Sequence, residues 1–327
     1  MQYVNLGRSG LRVSRLGLGA STFGRVGQRA YAIDFDEALP IVRRAFERGV
    51  NLFDTAEYYS LGDSEAVLGR ALAELGVHRE DLVIATKVGG GTVPGRENGG
   101  NLSRKHVLSA VDGSLRRLRT EYIDLYQIHR LVPGTPFEET LEALNDCVRA
   151  GKVRYLGASS MYAWQFERLL SIQERNGWAR FVSMQNGYNL AYREEEREMM
   201  PLCADRGIGV IPWGALSAGL LAGNATRDGA RHTRRAGTDL LKGMYPPTAQ
   251  DFDIQDRVRE TAARRGCSMA QVAIAWVLSK PFVHATLFGA TRLAQVDDTL
   301  AALDVHLDEA EVRHLEEPYR PVAPQSI

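Results

Sequence analysis

The chain has 327 residues, 44% hydrophobic and 24% charged, with 40 Lys plus Arg against 40 Asp plus Glu. Such a composition supports a large core and excludes disordered, collagen-like and coiled-coil classes. A formal charge of zero argues against nucleic acid or an anionic membrane surface as the main partner.

Cys147, Cys203 and Cys267 stand far apart with no CxxC pair, which speaks against a disulfide framework or a cysteine zinc site and fits a reduced, cytoplasmic setting. The N-terminal MQYVNLGRSGLRVSRLGLGA breaks each apolar run with Arg, Ser or Gly, so the chain reads as soluble and unexported. Of the forty basic residues only Lys87, Lys105, Lys152, Lys242 and Lys280 are lysines, which makes each of them worth inspecting.

Along the chain, short β-branched runs alternate with longer helical patterns. Strands are expected at Val13 to Gly19, Asn51 to Ala56, Asp81 to Val88, Tyr122 to His129, Val153 to Ser159, Phe181 to Asn186, Gly207 to Trp213 and His284 to Ala290. Helical patterns cover Phe35 to Glu47, Ser64 to Leu75, Arg104 to Leu118, Pro136 to Ala150, Met161 to Asn176 and Arg193 to Asp205. Eight strands, each followed by a helix-length connection, either close into a barrel or form a wide doubly wound sheet. Six of them end alike, at Asp54, Lys87, His129, Ser159, Gln185 and Trp213. Those groups converge on one mouth only if the sheet is closed, so the expected fold is a single α/β domain over 1–327, a (β/α)8 TIM barrel with long loops at its C-terminal mouth.

Two insertions, 89–103 and 216–249, follow strands and belong at that mouth. The cluster Arg227, Arg231, Arg234 and Arg235 reads as a solvated flexible loop, with anion binding the weaker alternative. Gly17, Gly19 and Thr22 match only part of a dinucleotide fingerprint, since the third glycine and the helix after it are missing. The seven histidines show no ligand spacing, so no metal is expected; six read as surface or loop residues, and His129 stands apart by closing an apolar strand.

From the second strand on, DTAEYY, IATK, YIDLYQIH, GKVRYLGASS, FVSMQNGYNL, VIPW and FGATRLAQVDD resemble the aldo-keto reductase superfamily over nearly the whole chain. The resemblance implies a catalytic tetrad of Asp54, Tyr59, Lys87 and His129; family spacing, five residues beyond Asp54, chooses Tyr59 over its neighbour Tyr58. It implies reduction of an aldehyde or ketone with NADPH, NADH being left open, lying across the mouth without a Rossmann fold. Ser159 and Gln185 would then hold the carboxamide and Trp213 would stack on the nicotinamide; Gly214, Leu216 and Gly219 would line the pyrophosphate path; Gly289, Arg292, Gln295 and Asp298 would hold the adenosine end, with Arg292 on a 2′-phosphate.

The chemistry of the four also stands without the family. A carbonyl taking hydride at carbon needs a proton on oxygen, and a phenol with a pKa of about 10 donates it better beside an ammonium that a carboxylate keeps charged. An imidazole opposite can orient the carbonyl. Family members often read W-S-P-L where this chain has Trp213, Gly214, Ala215 and Leu216, and Asn224 and Thr299 replace other common residues near the cofactor. Two alternatives compete with the reductase reading: Lys87 as a Schiff-base nucleophile, or a cofactor-sensing subunit of the same fold.

Overall fold

A computed structural model describes residues 1–25, 31–230, 232–234 and 247–324. The chain opens with an antiparallel hairpin, β1 (Tyr3–Asn5) and β2 (Arg12–Ser14), followed by eight parallel strands: β3 (Leu16–Gly19), β4 (Leu52–Asp54), β5 (Val83–Val88), β6 (Ile123–Ile128), β7 (Val153–Ser159), β8 (Phe181–Gln185), β9 (Gly209–Val210) and β10 (Thr286–Phe288). The sheet runs β10-β3-β4-β5-β6-β7-β8-β9. It closes where His284 N–H donates to the Val210 carbonyl at 2.9 Å and Leu287 N–H to the Pro212 carbonyl at 3.0 Å. The expected (β/α)8 barrel is therefore the observed fold.

Helices α1 (Phe35–Glu47), α2 (Asp63–Ala73), α3 (Arg104–Leu118), α4 (Phe137–Arg149), α5 (Ala163–Asn176), α6 (Met199–Arg206), α7 (Ala249–Arg265), α8 (Met269–Leu278), α9 (Leu293–Leu300) and α10 (Glu309–Glu316) surround the strands. Their starts follow local capping chemistry. The Asp34 carboxylate accepts from the Asp36 and Glu37 amides, Ser103 from His106, and Thr248, Ser268 and Asp308 each head a reciprocal capping box.

Strand side chains alternate between two apolar environments. Leu52, Val83, Ala85, Leu125, Ile211, Ala285 and Leu287 fill the barrel interior together with Leu6 and Val13 of the hairpin, which plugs the base. Phe53, Ile84, Tyr126, Leu156 and Met184 point outward to the helices. The same period carries Asp54, Lys87, Gln127 and Gln185 onto the inner face, above the apolar base.

Several elements differ from the sequence expectation. Val13 to Gly19 is two strands, because the chain breaks at Arg15, whose guanidinium crosses to the carbonyls of Val283 (2.8 Å) and Leu278 (2.6 Å). The strand expected at Gly207 to Trp213 shortens to Gly209–Val210 before Pro212, which has no N–H to extend the ladder. Arg193 to Asp205 is a 3-10 turn, Glu194–Glu196, followed by α6, because Glu194 and Glu195 are buried and hydrogen-bonded to groups outside the helix. Gly17 serves packing: a Cβ there would lie 2.8 Å from both Leu287 and Leu52. Arg227 pairs with Asp253 and Asp256, and Arg234 with Glu37, all as solvent-exposed pairs; Arg231 and Arg235 lie outside the described residues. Among the described residues, no helix is long and apolar enough to cross a membrane.

Candidate active site

The C-terminal ends of β4, β5 and β6 bring Asp54, Lys87 and His129 to one mouth. Lys87 is fully buried; its ammonium donates to the Asp54 carboxylate and, at 2.8 Å, to the Thr55 carbonyl. The second oxygen of Asp54 accepts from Gln127 Nε2 at 3.0 Å and Gln185 Nε2 at 2.9 Å. Burial lowers the pKa of Lys87, and the adjacent Asp54 charge acts against that pull. An ion pair this deep persists because both partners have further hydrogen bonds.

Above it, Lys87 Nζ lies 5.2 Å from the centre of the Tyr59 ring. Tyr59 meets His129 edge-on, with ring centres 5.4 Å apart and an interplanar angle of 82°. Tyr58 packs 5.2 Å from both rings, so both tyrosines line the mouth, and Tyr58 also interacts electrostatically with the Lys87 ammonium. Burial and the positive charges of Lys87 and Arg130 hold His129 well below the usual histidine range. That environment favours the uncharged imidazole, which can still donate a hydrogen bond.

On the opposite wall, Ser159 Oγ donates to the Gln185 carbonyl at 2.7 Å. Half-buried Trp213 donates its indole N–H to Ser160 Oγ at 3.3 Å, and Arg130 approaches the ring centre to 5.9 Å. Gly187 permits that placement, since a Cβ there would come 3.1 Å from the indole. Ser160 is held in turn by the Asn186 side chain, which accepts from its amide at 3.1 Å and donates to Glu195.

The remaining candidates lie around the rim. Gly214 (φ 77°) faces open space, Leu216 opens the turn Ser217–Ala222, Gly219 takes φ 94°, and a Cβ on Gly289 would meet only the Gly19 carbonyl at 3.9 Å. Arg292 is exposed at the N-cap of α9. Gln295 spends its side-chain oxygen on the amides of Thr291 and Arg292, and Asp298 accepts from Ser268 and Gln271 of α8. Gln185 likewise has its amide group directed at Asp54.

Non-glycine residues with left-handed backbone gather at the mouth. Among the described residues Ser60, Leu61, Ser160, Ser217 and Ala218 follow β4, β7 and β9; Arg119, a helix C-cap, is the exception. Strain of this kind concentrates where a site over-determines the backbone. Sequence reasoning missed Gln127, Glu57, Ser160 and Asn186. Gln127 was accessible to it, two residues before His129 on the same strand face; the others act through loop geometry. It also placed His106 with the surface histidines, whereas His106 is buried and its Nε2 lies 3.0 Å from the Glu57 carboxylate. Among the described residues no group of three or more His, Cys, Asp or Glu is placed to hold a metal ion.

The aldo/keto reductase family model matches residues 15–320. The chain belongs to the aldo/keto reductase family. It is 44% identical to versiconal hemiacetal acetate reductase of Aspergillus parasiticus, over 99% of this chain and 98% of that protein. It is 41% identical to aldo-keto reductase dtxS3 of Metarhizium robertsii, over 98% and 92%, and 42% identical to aldo-keto reductase AFTS1 of Alternaria alternata, over 97% and 92%. As an aldo/keto reductase it is an oxidoreductase, and the chemistry common to its reductase relatives is carbonyl reduction.

Proposed function

We propose that this aldo/keto reductase reduces an aldehyde or ketone to the alcohol with NADPH, and that Tyr59 is the general acid. The observation that carries the reading is the buried Lys87–Asp54 pair set 5.2 Å beneath the Tyr59 ring, with the His129 ring edge-on to it. The Tyr59 hydroxyl gives its proton to the carbonyl oxygen as that oxygen gains charge. The Lys87 ammonium stabilises the phenolate left behind, and Asp54, held by Gln127 and Gln185, keeps the ammonium protonated and in place. His129 donates a hydrogen bond to the same oxygen and fixes the face presented.

The residues present fit a nicotinamide cofactor. The indole of Trp213, oriented by Ser160, offers a stacking face, Gly214 leaves open space beside it, and Arg292 stands at a helix N-terminus suited to a phosphate. When bound, the reduced cofactor supplies hydride to the carbonyl carbon. Ser159 and Gln185 would face its carboxamide, Leu216 and Gly219 its pyrophosphate, and Gly289, Gln295 and Asp298 its adenosine.

A Schiff-base role for Lys87 is disfavoured by its placement. A nucleophilic amine must be neutral and reachable, whereas Lys87 has no exposed surface and donates to Asp54 and Thr55. The test is cofactor oxidation followed across a panel of small-molecule aldehydes and ketones with NADPH, then NADH. Turnover with several carbonyls and a preference for NADPH is expected; no turnover with any carbonyl and either cofactor overturns the reading.

A further inference from the structure

Glu57, the second acidic residue of the DTAEYY segment, has a buried carboxylate in a nest of donors. Its Oε1 accepts from three consecutive backbone amides, Gly89 at 2.9 Å, Gly90 at 3.1 Å and Gly91 at 3.0 Å, and lies 3.0 Å from His106 Nε2. Burial acts to raise its pKa, but the His106 contact and the Gly90 and Gly91 amides outweigh it, and the net shift is downward. The charged form is therefore the one this nest holds.

The position of that carboxylate is informative. The backbone N–H of Glu57 donates to the Lys87 carbonyl at 3.1 Å, continuing the β4–β5 ladder beyond the last strand pair, and Thr55 N–H donates to the Ala85 carbonyl at 2.9 Å. The side chain carries the pairing three residues further. Tyr59 then turns back, its N–H donating to the Ala56 carbonyl at 3.2 Å. One residue thus links the turn bearing Tyr59, the strand end bearing Lys87, the loop 89–103 and, through His106, the first turn of α3. Packing repeats the linkage: a Cβ on Gly90 would lie 2.6 Å from Tyr58 Cβ, so the loop rests directly on Tyr58, the neighbour of Tyr59.

We infer that Glu57 is a positioning residue, a carboxylate clamp that fixes the Tyr59 turn and the substrate-facing loop 89–103 relative to Lys87. A carboxylate suits this better than an amide, because one charged oxygen can accept from several converging amides and contact the imidazole as well. The catalytic half of the inference rests on the reductase reading; the tethering half does not, and the experiment separates them.

The experiment uses the full chain as wild type, Glu57→Ala and the isosteric Glu57→Gln. It combines hydrogen exchange by mass spectrometry with steady-state carbonyl reduction and NADPH binding by fluorescence. Glu57→Ala is expected to speed exchange at Gly89 to Gly91 about tenfold or more while the barrel strands stay protected. It should also lower kcat by about ten- to a hundredfold, the scale of a displacement near 1 Å, with NADPH affinity within about twofold of wild type. Glu57→Gln, which keeps one acceptor oxygen, should recover part of both losses and guards against a misfolded alanine variant. The inference is overturned if kcat stays within twofold of wild type in both variants, or if exchange at Gly89 to Gly91 does not move. Absence of carbonyl turnover in wild type, with the exchange result as expected, would instead sink the reductase reading and leave the tether standing.

Discussion

Replacing Lys87 by Met removes the ammonium and keeps a side chain of similar length in the barrel. Taking the Tyr59 ring centre as the seat of the phenolate charge, a cation at 5.2 Å favours the ionised ring by about 3 kcal/mol at an effective dielectric constant of about 20. That corresponds to about two pK units, or roughly a hundredfold in rate if the interaction is realised only as the proton leaves. Two effects follow. In the reduction direction kcat should fall about a hundredfold; in alcohol oxidation, where the phenolate is the working base, the rise of rate with pH should move up by about two units. Lys87→Met also strands the buried Asp54 carboxylate, costing about 3–5 kcal/mol of stability. The double variant Asp54→Asn, Lys87→Met separates the two, since it should regain stability in urea melts without regaining rate. The reasoning fails if Lys87→Met turns over within threefold of wild type, or if the double variant recovers rate and stability together.

Two further outcomes are expected. Arg292→Ala should weaken NADPH about ten- to a hundredfold, the scale of a lost charge-assisted pair, and leave NADH nearly unchanged; equal losses for both cofactors would remove Arg292 from the 2′-phosphate. Burial raises the Glu195 carboxyl from 4.5 to about 7, against the hydrogen bonds from Asn186 and Tyr192. Between those values the folded protein keeps a proton that the unfolded chain releases, so this group makes stability fall as pH rises from about 4.5 to 7, by up to roughly 3 kcal/mol. Glu195→Gln should flatten that slope in urea melts at pH 5 and pH 8, and an unchanged slope would contradict the assignment.

The barrel was legible because its signal is periodic. Helices over Phe35–Glu47 and Arg104–Leu118 and the strand Val153–Ser159 lie where the pattern puts them, since burial on one face or on both leaves its mark on every residue. The N-terminal hairpin was not, because apolar residues flank Ser14 and Arg15 on both sides within Val13 to Gly19, and the interaction that makes the break at Arg15 reaches residues near the other end of the chain. The tetrad candidates were legible through a motif; Gln127 went unread, although strand alternation places it on the face of His129. His106 and Glu57 were not: what makes them buried is their contact with each other across 49 positions, which no local pattern encodes. Asp298 and Gln295 were proposed for the cofactor from sequence, and the structure engages both in helix capping or interhelical bonds, so only a binding experiment with each variant can assign them.

The most direct measurement is single-turnover carbonyl reduction by Tyr59→Phe with bound NADPH, compared with wild type and Tyr58→Phe. The account predicts unchanged NADPH affinity and a rate lower by about a hundredfold or more in Tyr59→Phe alone, the usual scale of general acid catalysis. A wild-type rate in Tyr59→Phe, or an equal loss in Tyr58→Phe, would contradict it.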